Sequence, residues 1–221
     1  MVFKDADIDA AAQLCTQGKF RNAGQVCISP TRFFIEESIH DQFLKAFKKH
    51  VEAVNIGNGL DAGVNMGPLV ADRRLDIMEG FVSNAVSEGA ELLVGGERVQ
   101  SSGSFYQPTL LANVPDSAQI MIEEPFGPIA PTATFASLDE VIDRSNSLPF
   151  GLAAYAFTGS PKTAGVLKTE IESGMLAINS LHIHSVETPF GGLKNSGYGY
   201  EGGIEGLEAF LATKYSSEVY T

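Results

Sequence analysis

Segments with apolar side chains three and four residues apart alternate along the chain with short β-branched or aromatic runs. Ile8, Ala11, Ala12 and Cys15 fall on one face of a helix that Asp7 can cap and that ends near Gly18. The run Thr31-Arg32-Phe33-Phe34-Ile35 predicts a strand. Ser38 then opens a second helix carrying Ile39, Phe43, Ala46, Phe47 and Val51. Residues 55–68 are rich in glycine and asparagine and predict a loop, after which Asp72 caps a helix over 75–87. Leu92-Leu93-Val94 is a short strand ending at Gly95-Gly96, and a polar, proline-containing stretch leads to the turn Glu123-Glu124-Pro125-Phe126-Gly127-Pro128. Beyond it, residues 129–135, 152–157 and 174–178 predict strands. Between these lie a capping box, Ser137 to Glu140, and a Ser160-Pro161 helix start.

Strands separated by helices of about ten residues mark a parallel sheet in an α/β fold. The expectation is therefore a doubly wound, mainly parallel sheet with helices on both faces. From Ser180 the alternation gives way to a glycine-rich loop over 189–203 and a short helix near 204–210. The closing segment, 213–220, alternates loosely; it either edges its own sheet or pairs with a neighbour's.

Composition narrows the function classes. The chain has 221 residues, 44% of them apolar, enough for a sizeable core. Its 27 acidic residues exceed its 15 basic ones, for a net charge of −12, and the cations are scattered, which argues against nucleic acid as a partner. No apolar run is long enough to span a bilayer, and the start, Met1 to Asp7, turns acidic where a signal peptide would be greasy, so a cytoplasmic protein is expected. Two cysteines are too few for a disulfide framework, and neither has the neighbours a zinc site needs, so no metal is expected.

Cys15 lies on the apolar stripe of its helix and reads as structural. Cys27 sits in Asn22-Ala23-Gly24-Gln25-Val26-Cys27, between a helix end and a strand start, a position that commonly faces a crevice. It is either a small buried filler or a nucleophile. Gly24 permits a backbone that aims amide N–H groups inward, and Asn22 and Gln25 are polar where core filler would be apolar. Arg21, six residues earlier, is either simply exposed or grips an anionic substrate tail. Gly197-Tyr198-Gly199-Tyr200-Glu201-Gly202 has the spacing of a dinucleotide-binding turn but follows a loop and lacks the later acidic residue, so it reads as a close-packed loop. His182 and His184 fall on one side of an extended segment, too few for a metal site.

Phe20-Arg21-Asn22-Ala23-Gly24-Gln25-Val26-Cys27, Glu124-Pro125-Phe126-Gly127-Pro128 and Pro189-Phe190-Gly191-Gly192, followed by Lys194 and Ser196-Gly197, together resemble the aldehyde dehydrogenase superfamily. The resemblance covers essentially the whole chain and maps onto the second half of a family member. It implies residues 1–210 as a catalytic domain and 211–221 as a strand through which the protein forms a homo-oligomer. The family's amino-terminal NAD-binding half, with its general-base glutamate, has no counterpart in these residues. By resemblance, Cys27 attacks a small aldehyde to form a thiohemiacetal and then a thioester. Glu124 and Phe126 contact an NAD or NADP cofactor, which these residues alone would hold weakly. Phe190 lines the substrate tunnel. Arginine at position 21 is similar to enzymes acting on succinic semialdehyde, with His184 and Ser185 nearby, His184 standing where that group tends to carry serine. Two other activities are consistent with the same residues. One is a cofactor-free thiol esterase or acyl transferase using Cys27; the other is a catalytically silent oligomerising module.

Overall fold

A computed structural model describes residues 1–99 and 103–221. Strands β1 (Phe33–Glu36), β2 (Glu91–Val94), β3 (Thr109–Ala112) and β4 (Ile129–Phe135) form a sheet in the order β1-β4-β3-β2. The β1–β4 and β4–β3 pairs are parallel, and β3–β2 is antiparallel. Two further parallel strands, β6 (Ala153–Ala156) and β7 (Met175–Ile178), pair with each other. Val2 links the two sets, bridging Ile35 of β1 and Phe157, just after β6. The sheet is thus mixed and mostly parallel, with β2 the departure from the doubly wound pattern.

Helices cover both faces. Successive residues of a strand point to opposite sides. Phe33 meets Phe47 of α2 (His40–Glu52), with ring centroids 5.3 Å apart, while Phe34 packs beneath the Arg144 guanidinium of α5 (Leu138–Asn146), 4.7 Å from its ring centre. Hence α2 and α5 lie on opposite faces of β1. Such double cover explains why β3 is buried at every position and shows no alternation. Each large side chain buried there contributes about 1.5–3 kcal/mol. Thr109-Leu110-Leu111-Ala112 lies in the stretch that the sequence presents as polar and irregular, of which residues 100–102 are outside the described residues.

Several starts follow the expected chemistry. Asp7 accepts from the Ala10 N–H at the head of α1 (Ile8–Phe20), and Ser160 accepts from the Thr163 N–H ahead of α6 (Pro161–Glu170). Ser137 accepts from the Glu140 N–H, and the Glu140 carboxylate reaches back to the Ala136 N–H, a reciprocal cap for α5. Two starts differ. A single 3-10 turn, Glu37–Ile39, precedes α2, which has no side-chain cap. Asp72 is already helical in its backbone and accepts from the Ser104 hydroxyl rather than capping α3 (Arg73–Ser87).

The strand expected at 152–157 is β6; ahead of it an unanticipated two-residue strand, β5 (Phe150–Gly151), pairs with β8 (Leu193–Lys194). A four-residue helix, α4 (Gln119–Ile122), leads into the proline turn. The glycine-rich loop ends in a second four-residue helix, α7 (Glu205–Glu208), shorter than expected. Residues 213–220 are exposed and form no strand within the chain. Among the described residues no helix is long and apolar enough to cross a membrane, and no group of three or more His, Cys, Asp or Glu side chains is placed to hold a metal.

Candidate active site

Cys27 is exposed, in a turn between α1 and β1. The chain leaves α1 through a 3-10 turn, Arg21–Gly24, in which Asn22, Ala23 and Gly24 have φ of 51°, 53° and 72°. Gly24 is required twice over at this point. A Cβ there would need the left-handed region and would lie 2.2 Å from the Gly127 carbonyl oxygen. The turn bearing Cys27 is therefore pressed backbone to backbone against the proline turn bearing Glu124 and Phe126.

The polar residues of this segment have a different role from the expected one. Gln25 accepts from the Val70 N–H at 2.9 Å and donates to the Asn22 and Pro68 carbonyls. Asn22 donates to the Gln25 carbonyl at 3.0 Å. Both side chains clamp the loop rather than face a substrate. The Val26–Ser29 turn closes with the Ser29 N–H donating to the Val26 carbonyl at 2.9 Å. Among the described residues the Cys27 N–H donates to no acceptor, so it is available to an oxygen beside the thiol.

The proline turn is held from α3. Arg74 donates to the Pro125 and Phe126 carbonyls, and Phe126 has φ of 43°, which presents its ring to solvent. Glu124 is solvent-accessible. Partial burial nevertheless holds its carboxyl above the usual carboxylate range, while the positive charge of Lys19 pulls it the other way. Lys19, in the last turn of α1, is fully buried, and its Nζ has no hydrogen-bond partner among the described residues. Desolvation pushes its amine down to about 7, opposed by the charge of Glu124.

Cys27 and Glu124 line one groove of about 810 Å³, shared with Phe150, Tyr155 and Ser196. Arg21 lines an adjoining pocket of about 160 Å³, whose walls include Ile28, Tyr155 and Leu181. His184, Ser185 and Phe190 line neither. The His184 ring stacks on His182 at 6.0 Å and meets Phe190 edge-on at 6.2 Å, while Ser185 closes a local turn with Thr188. The 197–202 motif lies in a loop between β8 and α7, as its sequence context implies, with positive φ at Gly197, Gly199 and Gly202, but it is exposed rather than close-packed. Cys15 is buried, and its thiol is pushed up to about 12, which leaves it inert.

Sequence reasoning did not single out Lys19, Arg74 or Tyr155. Lys19 carried a legible signal, a cation on the apolar face of an amphipathic helix. The other two are recognised only from where they reach in space.

This arrangement sets an exposed thiol carrying a free N–H and the Glu124 carboxyl along one groove. Comparison with known proteins bears on the family. The family model described as aldehyde dehydrogenase family matches residues 1–216. A 4-(hydroxymethyl)benzenesulfonate dehydrogenase of Comamonas testosteroni is 44% identical over 215 residues, covering 97% of this chain and 44% of that protein. The mitochondrial succinate-semialdehyde dehydrogenase of Rattus norvegicus is 38% identical over 216 residues, 97% of this chain and 41% of that one. An aldehyde dehydrogenase structure from Brucella melitensis biovar abortus superposes with a TM-score of 0.96 at 37% identity, over all of this chain and 45% of that one. The chain spans less than half the length of these relatives, and within that span both its sequence and its fold make it a member of the aldehyde dehydrogenase family, a family of oxidoreductases.

Proposed function

We propose that this chain is the catalytic half of a cytoplasmic, NAD(P)-dependent aldehyde dehydrogenase acting on aldehydes with a remote acid group, succinic semialdehyde among them. The observation that carries this reading is the exposed Cys27 with an unengaged N–H, sharing its groove with Glu124. The relatives named for benzenesulfonate and succinate-semialdehyde substrates, with glutarate-semialdehyde dehydrogenase of Pseudomonas aeruginosa at 40% identity, all bear acids in those names, which supports a role for the Arg21 guanidinium in the pocket adjoining the thiol's groove.

Cys27 Sγ forms a bond to the aldehyde carbon, the carbonyl π pair moves onto oxygen, and the Cys27 N–H donates to that oxygen. Arg21 grips the remote acid from the adjoining pocket, while His184, Ser185 and Phe190, outside both cavities, do not line this path. The donor set fits a nicotinamide dinucleotide in part: Glu124 offers acceptors to ribose hydroxyls, and Phe126 offers an exposed aromatic face. When bound, that group supplies the acceptor for the hydride that leaves the thiohemiacetal carbon. Water then cleaves the Cys27 thioester, releasing the acid and restoring the thiol. Residues 211–221, exposed and unpaired within the chain, serve as a strand that joins subunits.

Protection of Cys27 from iodoacetamide tests this reading. Succinic semialdehyde should protect the Cys27 peptide from alkylation more strongly than propanal does, and the preference should vanish in Arg21→Ala. Alkylation at the rate of a free model thiol, or equal protection by both aldehydes, would overturn it.

A further inference from the structure

Tyr155 stands on β6, 9% exposed, with its backbone fixed on both sides: it pairs with Ala177 of β7, and its carbonyl accepts from the Met1 amino group at 2.9 Å. Its ring lines both the groove containing Cys27 and the pocket containing Arg21. Its hydroxyl donates to the Ile28 carbonyl at 2.8 Å, across 127 residues of sequence. Ile28 follows Cys27, and the two are the central residues of the turn closed by the Ser29-to-Val26 hydrogen bond. That closing bond engages the N–H of the Ile28–Ser29 peptide, and the Tyr155 hydroxyl engages the carbonyl of the same peptide, so both of its ends are held.

We propose, resting on the reading of Cys27 as nucleophile, that Tyr155 is a positioning residue for that thiol: it occupies the Ile28 carbonyl and so locks the turn from which Sγ projects. Burial pushes the Tyr155 phenol above its ordinary range, and negative charge on Cys27 adds to this, against a smaller opposing effect of Arg21. The phenol therefore keeps its proton and remains a donor to the Ile28 carbonyl. Without the hydroxyl, the Ile28 carbonyl regains free lone pairs one residue from the sulfur. They then compete for the thiol proton and repel the thiolate.

The test compares Tyr155→Phe with the parent chain and with Tyr106→Phe, which removes a buried hydroxyl that has no partner among the described residues. Iodoacetamide alkylation of the Cys27 peptide is followed by mass spectrometry across a pH series. Tyr155→Phe is expected to slow alkylation at neutral pH about 3- to 10-fold, the range spanned by losing one hydrogen bond, and to move the rate profile to higher pH. Tyr106→Phe is expected to leave both unchanged. An unmoved profile in Tyr155→Phe overturns the proposal. So does its failure to fold, since the hydroxyl would then support the whole domain rather than one turn. If the parent Cys27 itself reacts no faster than a free model thiol, it is the nucleophile reading that falls.

Discussion

Replacing Gly24 with alanine places a methyl group where two turns touch. The new Cβ meets the Gly127 oxygen at 2.2 Å and its carbonyl carbon at 2.7 Å, both backbone atoms, at a φ of +72°. Holding a Cβ residue in the left-handed region costs about 1–2 kcal/mol. Pushing two backbone segments apart adds about 1–3 kcal/mol. Alanine's smaller unfolded-state entropy returns about 0.4–1 kcal/mol, which leaves a net loss of about 2–4 kcal/mol. Gly127→Ala is the informative contrast. Its Cβ meets the Met78 Sδ at 2.0 Å, a severe overlap, but with an unbranched side chain that changes rotamer, so its cost is about 1–2 kcal/mol. Urea unfolding measures both losses, and Cys27 alkylation reports the displaced turn in Gly24→Ala. A Gly24→Ala loss below that of Gly127→Ala would refute the argument that backbone contact joins the two turns.

Lys19→Met tests the buried amine. With its pKa pushed down to about 7 from 10.5, folded Lys19 binds fewer protons than unfolded Lys19 between those values, so the parent protein gains stability as pH rises through that window. The methionine variant lacks this gain, and urea midpoints at the two ends of the window show the difference; parallel curves would sink the assignment. Gln25→Ala leaves the Val70 N–H and the Pro68 carbonyl without their partner, an expected loss of about 1–2 kcal/mol by the same unfolding assay. Glu124→Gln keeps one acceptor oxygen but removes the charge. In the enzyme with its cofactor, it is expected to raise the NAD(P) KM several-fold while leaving the cofactor-free alkylation of Cys27 unchanged.

What could be read in the sequence was whatever local periodicity and capping chemistry encode. Asp7, Ser137 and Ser160 start their helices as expected because a cap is a three-residue interaction. Strand β3 escaped because burial on both faces erases alternation, leaving Thr-Leu-Leu-Ala between prolines with no period to detect. Strand β2 was legible in Leu92-Leu93-Val94, but its antiparallel direction was hidden, since pairing direction is set by where the chain returns. At the site, Cys27 and Glu124 stood out by residue type and motif, and the groove unites them. The polarity of Asn22 and Gln25 was real, but Asn22 serves the Gln25 carbonyl within the loop, and Gln25 serves backbone groups 43 and 45 residues away in Pro68 and Val70, which no local reading exposes.

Val2, with its neighbours Met1 and Phe3, stitches the four-stranded sheet to the end of β6. Its N–H donates to the Phe34 carbonyl, its carbonyl accepts from Glu36, and on the other side Phe157 donates to the Met1 carbonyl. The Met1 contact to Tyr155 closes a loop of 154 residues, so this seam belongs to the slow, topologically distant part of folding rather than to local nucleation. Until the seam closes, the β6 tyrosine has no fixed place from which to reach Ile28. On the proposal that Tyr155 positions Cys27, the bond that steadies the thiol's turn depends on this long-range closure.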